Sequence, residues 1–424
     1  MFRNTMKSRL LSGAAFAATA SALAVGPAFA GGFAVREQST VFLGSAYAGA
    51  AAGGAISSIF FNSAAAAQLP GLNSESSYTI VLPESELTVT SPVVPVASRG
   101  SGDIGIDAVV GSSYYTYQLN KDLWVGLGLN APFGLSTKPE NRSYFGNLLN
   151  NTSKLFTFNA NPTLAYKISP GVTIGAGIQV EYAYGKFQFA TANPAVVPTG
   201  APNSVVRFRG DDVTVGATVG LLLEPTSTTA VGVGWRSGLS HELDGTLIGP
   251  IVLGGGGSAL GSIDLPDIVT LSARQAISPQ ARLLATVEWS NWSVFNNLTV
   301  VSALPTVLGS TLTIPTNWDD GWFFSGGGEY DYSPNLTLRA GGAYEISPIR
   351  NASQRLTAIP DNDRVWANFG ASYKWSEKVT VDFAYSHIFV EDGTFDRTTL
   401  TGTRIAGNAE SSVDLIAMGF RSKW

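Results

Sequence analysis

The sequence predicts an all-β fold, a transmembrane antiparallel β-barrel of about fourteen strands with an N-terminal hatch (plug) in its lumen. Three observations carry that prediction. From about Ser76 to Trp424, apolar residues alternate with Gly, Ser, Thr or charged residues, as in Val172, Ile174, Ala176, Ile178, Val180 and Tyr182 against Thr173, Gly175, Gly177, Gln179 and Glu181. A period of two gives each strand one greasy and one polar face. Short connectors at Asn120-Lys121, Ser169-Pro170-Gly171, Glu224-Pro225-Thr226, Ser278-Pro279, Ser333-Pro334 and Ser376-Glu377 alternate with long ones near 89–103, 133–153, 190–204, 245–261, 296–316, 347–364 and 391–410. A soluble sandwich has no reason to place every long connector on one edge, whereas outer-membrane barrels do, with both chain ends on the short-turn side. Charged residues make up only 13% of the chain and glycines number 47, which suits a wall that meets lipid on one face and is closely packed on the other.

Taken in chain order, residues 1–30 read as a cleavable signal peptide. Arg3, Lys7 and Arg9 precede an Ala-rich apolar stretch that ends in Ala28-Phe29-Ala30 before Gly31. Loss of those three cations takes the net charge from -5 to -8. The chain has no cysteine, hence neither a disulfide framework nor thiolate chemistry. Residues 31–75 lack alternation and carry clusters of small residues, Gly49 to Gly54 and Ala64 to Ala67. So short a segment buries too little apolar surface to fold alone. A ring of about fourteen strands is wider than its own side chains fill. The segment is therefore expected inside the ring, where Phe33, Phe42, Tyr47, Phe60 and Phe61 leave water.

Residues 76–424 form the barrel. Beyond residue 30 no apolar run reaches the roughly 20 residues of a membrane helix, and a closed ring of strands is the other way to satisfy backbone groups in lipid. In the third strand Val125, Leu127 and Leu129 alternate with Gly126 and Gly128 before Ala131-Pro132-Phe133-Gly134. Proline removes a donor and glycine permits a bend, so either the ladder fails locally there or the strand simply ends. The connector that follows is unusually apolar, with Phe145, Leu148 and Leu149. Trp124, Trp289, Trp292, Trp318, Trp322, Trp375 and Trp424 cluster at strand ends and read as interfacial anchors. Arg207 and Arg209 fall on the outward parity of an outer strand end, within reach of lipopolysaccharide phosphates.

Several segments together resemble the FadL family of outer-membrane long-chain fatty-acid and hydrocarbon transporters. They are Gly32-Phe33-Ala34-Val35-Arg36-Glu37-Gln38-Ser39, Leu43 to Gly49, Pro132 to Leu135, Trp235-Arg236-Ser237, Leu265-Pro266-Asp267, Trp289 to Ser293, Ser347-Pro348-Ile349, and Ile359 to Trp366. The resemblance spans nearly the whole mature chain in order. It implies passive uptake of hydrophobic compounds by lateral diffusion through a gap at a kink of strand three, with Ala131, Pro132, Phe133 and Gly134 as the gate. It also implies a ligand path at the hatch involving Gly31, Phe33, Val35 and an Asn62-Ser63-Ala64 motif that sits against the kink. An external groove would use Phe145, Leu148 and Leu149. The positions that hold a carboxylate in fatty-acid members match Phe189 and Asp319, neither a cation, so Lys186, Arg236 and Arg339 become the candidates for a headgroup or lumen cation. Pairing with lumenal Glu242, Glu288, Glu329, Glu345 and Asp382 is the competing use of such cations.

No cofactor is expected. His241 and His387 both fall on outward parity in distant strands, which speaks against a metal cluster or triad and against an enzyme. An acidic mature chain speaks against nucleic acid. The expected partners are a hydrophobic ligand, outer-membrane lipid and lipopolysaccharide, around a monomer in the bacterial outer membrane with both termini periplasmic. The competing function is a general diffusion porin, which predicts an open, charged lumen without a plug.

Overall fold

The computed structural model describes residues 31–191, 205–249, 256–306 and 309–424. The expected signal peptide lies outside the described residues. Fourteen strands form the ring. They are β1 Leu72–Val89, β2 Ala108–Gln118, β3 Leu123–Asn130, β4 Thr152–Ser169, β5 Val172–Ala190, β6 Val205–Thr226 and β7 Thr229–Arg236. The second half comprises β8 Ile268–Ala276, β9 Ala281–Ser290, β10 Gly321–Ser333, β11 Leu336–Ile346, β12 Arg364–Lys374, β13 Val379–Val390 and β14 Arg404–Lys423. Each pairs antiparallel with the next, and β14 closes on β1 from Asn73↔Lys423 to Val89↔Gly407. Closure leaves the ring without a first or last free strand, as hydrocarbon demands. Ile178, Val180, Val213, Val215, Phe369 and Phe383 project outward and are exposed, so the greasy face is the lipid-facing one.

Strand β1 opens at Leu72 rather than Ser76, because Leu72–Ser77 is polar on both faces and hydrophobic period does not reveal it. Five of the six expected tight turns fall between strands, and the sixth lies just past Thr226, before Thr229. Several long connectors carry strand structure of their own, and Gly100–Asp103 and Gly134–Thr137 are short examples. Leu239–Ile248 pairs with Gly256–Leu265, Asn297–Thr306 with Gly309–Pro315, and Gly393–Thr398 folds back on β14. These hairpins keep backbone groups paired where a polar composition suggests loop.

The inward-outward alternation also shifts beyond β7. A break at Ser237-Gly238 turns Leu239, His241 and Leu243 inward. His241, expected outside, is buried between Glu181 at 3.5 Å and Asp212 at 3.0 Å, and Glu242, expected in the lumen, faces out.

Residues 31–71 lie within the ring as two single-turn helices, Thr40–Leu43 and Ser58–Phe61, and two 3-10 segments, Ala50–Ala52 and Ser63–Gln68. Ser39 caps the first by accepting from the Phe42 amide. Small residues on both sides permit the contact. A Cβ at Gly232 or Gly234 of β7 would lie only 1.8 Å from the Ala51 carbonyl oxygen or 1.7 Å from that of Phe61. The glycine content of the wall is thus partly the footprint of the hatch.

Candidate functional site

Strand β3 is interrupted where the sequence placed proline. It pairs with β2 only from Ser113↔Leu129 to Gln118↔Trp124, so the Ala108–Ser112 stretch of β2 has no β3 partner. On its other side the chain stays with β4, and pairing resumes at Gly134–Thr137 against Ser153–Phe156. The chain thus leaves β2 and keeps β4, which is a local kink rather than a strand end.

The first residues of the hatch occupy that break. The Val35 amide donates to the Pro132 carbonyl (2.8 Å) and the Gly134 amide to the Phe33 carbonyl (3.0 Å), with an antiparallel bridge between Ala34 and Phe133. Gln38, which nothing in the sequence singled out, spans the gap. Its Nε2 donates to the Ala131 carbonyl at 2.7 Å, while its own carbonyl accepts from Ser112 Oγ at 2.9 Å and Tyr114 Oη at 3.0 Å. Gln38 therefore links both sides of the interrupted ladder, its buried side chain bonding the kinked chain and its backbone carbonyl bonding β2.

Phe33 sits in an aromatic cage. Its ring centroid lies 4.6 Å from Trp292, 5.4 Å from Phe295, 5.9 Å from Trp318 and 6.2 Å from Phe133. Trp292 and Trp318, expected as interfacial anchors, are buried in the lumen instead, because the chain turns inward past the end of β9 in the 3-10 segment Trp292–Val294. Trp124 is also buried and donates to the Leu69 carbonyl.

Above the cage lies a cavity of about 380 Å³ whose floor includes Phe33 and whose walls are mainly Leu, Ile, Val and Phe, among them Leu135, Phe187, Phe189, Phe208, Leu298 and Leu312. Leu148 and Leu149 line it, while Phe145 packs on the neighbouring cluster of Leu87, Val89, Tyr144 and Phe395. Among the described residues two charged side chains line it, Asp396 and Arg397. Asp396 pairs with Arg404, and Arg397 donates to the carbonyls of Ser353 and Pro315. Phe189 does line the cavity, while Asp319 instead accepts from Gln354 at 3.1 Å.

The three expected cations are elsewhere. Lys186 is on the outer face of β5, in register with Lys154 of β4, because Phe187 and Phe189 take the inward positions. Arg236 is buried against the hatch, donating to Gln179 Oε1 (2.5 Å) with its guanidinium 4.4 Å above the Phe60 ring. Arg339 is held by Glu329 at 2.7 Å, in a group that also contains Arg274, Arg282 and Asp331. The Asn62-Ser63-Ala64 motif is also not at the kink. Asn62 Nδ2 donates to Leu221 of β6 (3.0 Å) and to Ala51 (2.8 Å), its Oδ1 accepts from the Ala64 amide, and Ser63 Oγ donates to Thr218 of β6 at 2.7 Å. The motif seats the hatch on β6, and Phe33 to Gln38 take the position at the kink.

A sequence model of the family described as outer membrane protein transport protein (OMPP1/FadL/TodX) matches residues 21–424. An outer membrane protein of Neisseria meningitidis serogroup B is 28% identical over 397 residues, covering 81% of this chain and 84% of the relative. The long-chain fatty acid transport protein of Salmonella typhi is 25% identical over 334 residues, covering 72% and 75%. Among solved structures, a Pseudomonas aeruginosa FadL homologue superposes with a TM-score of 0.82 at 22% identity over 92% of this chain and 99% of that one. The toluene transporter TodX of P. putida superposes with a TM-score of 0.66 at 18% identity, over 87% and 94%.

Proposed function

The chain belongs to the OMPP1/FadL/TodX family of outer membrane transport proteins, and on that premise we propose that it passes neutral lipophiles sideways into the outer membrane. It is a transporter of hydrophobic compounds and not an enzyme. One observation carries the lateral route. The residue that floors the apolar cavity, Phe33, belongs to the same short segment whose backbone is bonded to the kink at Pro132 and Gly134. Stopper and gate are one element. Displacing Phe33 breaks two backbone bonds at the gap, and Gln38 is the remaining tie between β2 and the kinked chain.

Cargo enters the cavity past Leu148 and Leu149, gains roughly 0.8 kcal/mol for each methylene it withdraws from water, and leaves between β2 and β3 into lipid. Residues 31–71 act as the hatch that bars water from this route. The chain works as a monomer with both termini periplasmic, since Leu72 and Lys423, the ends of the ring, share the edge that bears the tight turns.

The cavity's lining decides the cargo class. A buried carboxylate needs a counter-charge, at a penalty of several kcal/mol without one. Lys186, Arg236 and Arg339 do not line the cavity, and Arg397 already donates to two carbonyls. The names of relatives include both a long-chain fatty acid transporter and a toluene transporter. The lining favours the uncharged class. Fluorescence of Trp292 and Trp318 titrated with a fatty acid and with its methyl ester tests this. Binding of the ester at least as tight as that of the acid is expected. An acid that binds more than about tenfold tighter, a difference of about 1.4 kcal/mol, overturns it.

A further inference from the structure

On the outer face, Lys154, Lys186 and Arg209 are direct cross-strand partners on β4, β5 and β6. Their chain neighbours Leu155, Phe187 and Phe208 line the cavity, so the three cations project away from it. Arg207 lies two residues along on the same face, donating to Gln188 Oε1 at 2.7 Å, and the charge of Lys138 reaches Lys186 as well. Like charges placed directly opposite destabilise a sheet, so such a row is unfavourable unless an anion lies on it.

The surroundings do not supply that anion. Among the described residues none of these five cations has a carboxylate at ion-pair distance, although Asp211 and Asp244 face the same side one step further along. The neighbouring segments 192–204 and 250–255 contain no Asp or Glu at all.

The row also has a level in the membrane. Below it Phe156 stacks on Tyr184 at 5.3 Å, with Lys154 Nζ 5.5 Å from the Phe156 ring, and further below Ile178, Val180, Val213 and Val215 are exposed. Aromatics above an apolar band mark the headgroup level of a barrel. We propose that this face binds the phosphates of a phosphorylated glycolipid of the outer leaflet, with its acyl chains along the apolar band below.

Native mass spectrometry of the full chain in detergent, titrated with bis-phosphorylated lipid A and with the dephosphorylated form, tests the site. The wild type should bind the phosphorylated lipid at least about tenfold more tightly. The K154Q/K186Q/R209Q variant should lose that preference, yet melt no lower than wild type in lipid-free detergent, because repulsion has been relieved. Equal binding of the two lipids, an unchanged preference in the variant, a lower melting point of the lipid-free variant, or full displacement by millimolar inorganic phosphate would each overturn the proposal.

A separate observation concerns the other side of the wall. The Gly31 amide nitrogen lies 2.9 Å from Glu345 Oε1 and that of Gly32 lies 2.7 Å from Asp361 Oδ2. Arg36 pairs with Glu345 at 3.1 Å and with Glu288, Arg364 pairs with Asp361, and Arg355 donates to the Asp361 carbonyl. Among the described residues neither carboxylate oxygen of the buried Glu37 has a hydrogen-bond partner. Among the described residues the acids Glu37, Glu288, Glu345 and Asp361 surround the three guanidiniums, with Glu37 holding its proton up to about pH 7.

Hydrolysis of the Ala30–Gly31 bond by a processing peptidase, consuming one water, leaves a carboxylate on Ala30 and an ammonium on Gly31. We infer that this ammonium becomes the fourth cation of the group, so that processing latches the Phe33 stopper onto Glu345. The inference rests on the expected cleavage site, and the mass of the exported chain checks that site first: a mature chain not beginning at Gly31 overturns it.

Hydrogen exchange of Gly32 to Gln38 then compares the chain refolded from Gly31 with one that retains Ala30, whose ammonium is displaced by about 3.8 Å of chain. Exchange should rise at least about tenfold in the longer chain. Glu345→Gln should do the same in the Gly31 chain and have a smaller effect in the longer one, where only its contacts with Arg36 and Trp366 remain to be weakened. Equal exchange in the two chains, or fully additive effects, contradicts the latch.

Discussion

At the edge of the long loops the lumen is an apolar cavity of about 380 Å³ floored by Phe33, whereas at the short-turn edge it is closed by a belt of charges. In that belt Arg339, Arg282 and Arg274 share Glu329, Arg282 also holds Asp331 at 2.7 Å, and Arg421 holds Asp382 at 2.8 Å. The cavity at this end is smaller, about 280 Å³, and bordered by Gln68, Glu224 and Arg274. A lipophile gains free energy entering the first region and nothing entering the second. The proposed way out, sideways at the kink between them, avoids the second region. The hatch divides in the same way. Gly31 to Gln38 meets the kink through a few hydrogen bonds, while Ser39 to Gly71 is pressed against wall glycines and anchored by Asn62. In the proposed mechanism the first part moves and the second stays.

The largest test of that division removes the stopper. Phe33→Ala should destabilise the upper part of the hatch by about 3–5 kcal/mol, read as lost hydrogen-exchange protection at Gly32 to Val35, with Ser39 to Gly71 still protected. Asn62→Ala attacks the anchored part instead and should lower overall stability by about 1–3 kcal/mol in thermal melts. Uptake through the kink should persist in that variant.

The acidity of Glu37 sharpens the comparison, because it lies at the boundary between the two parts. Burial pushes its carboxyl up from 4.5 to about 7. The folded state thus holds a proton that the unfolded chain releases, so this contribution to stability is full below about pH 4.5 and lost as pH climbs through about 7. Melting points measured from pH 5 to 8 should fall across that range, and Glu37→Gln should flatten the fall. The smallest effect is expected from Arg236→Gln. With its guanidinium stacked on Phe60 and away from the cavity, the change should alter discrimination between a fatty acid and its ester by less than about twofold in the fluorescence titration.

Much of this was legible in the sequence. Period-two alternation marks the strands because one face meets lipid, and Pro132, which lacks a donor, with the flexible Gly134 marks a place where the ladder breaks or the strand ends. The run Ile174, Ile178, Val180 even assigns Lys186 to the outer face, since it shares their parity. What was hidden depends on where the chain leaves a regular strand. The turn past β9 carries Trp292 into the lumen, and the break at Ser237-Gly238 reverses the facing of His241; alternation ends at both points. Gln38 had no local signal, because its role arises from two strands that are distant in sequence.

The chain has no cysteine, so one engineered pair reports cleanly on the gate. Ala34 and Phe133 face each other across an antiparallel bridge, at a spacing of about 4.5–5.5 Å between Cα atoms that a disulfide spans. Uptake of a neutral lipophile into vesicles by the Ala34→Cys/Phe133→Cys protein is the direct measurement. Oxidation should stop uptake while ligand still binds in the cavity, and reductant should restore it. Undiminished uptake by the cross-linked protein would contradict the lateral route.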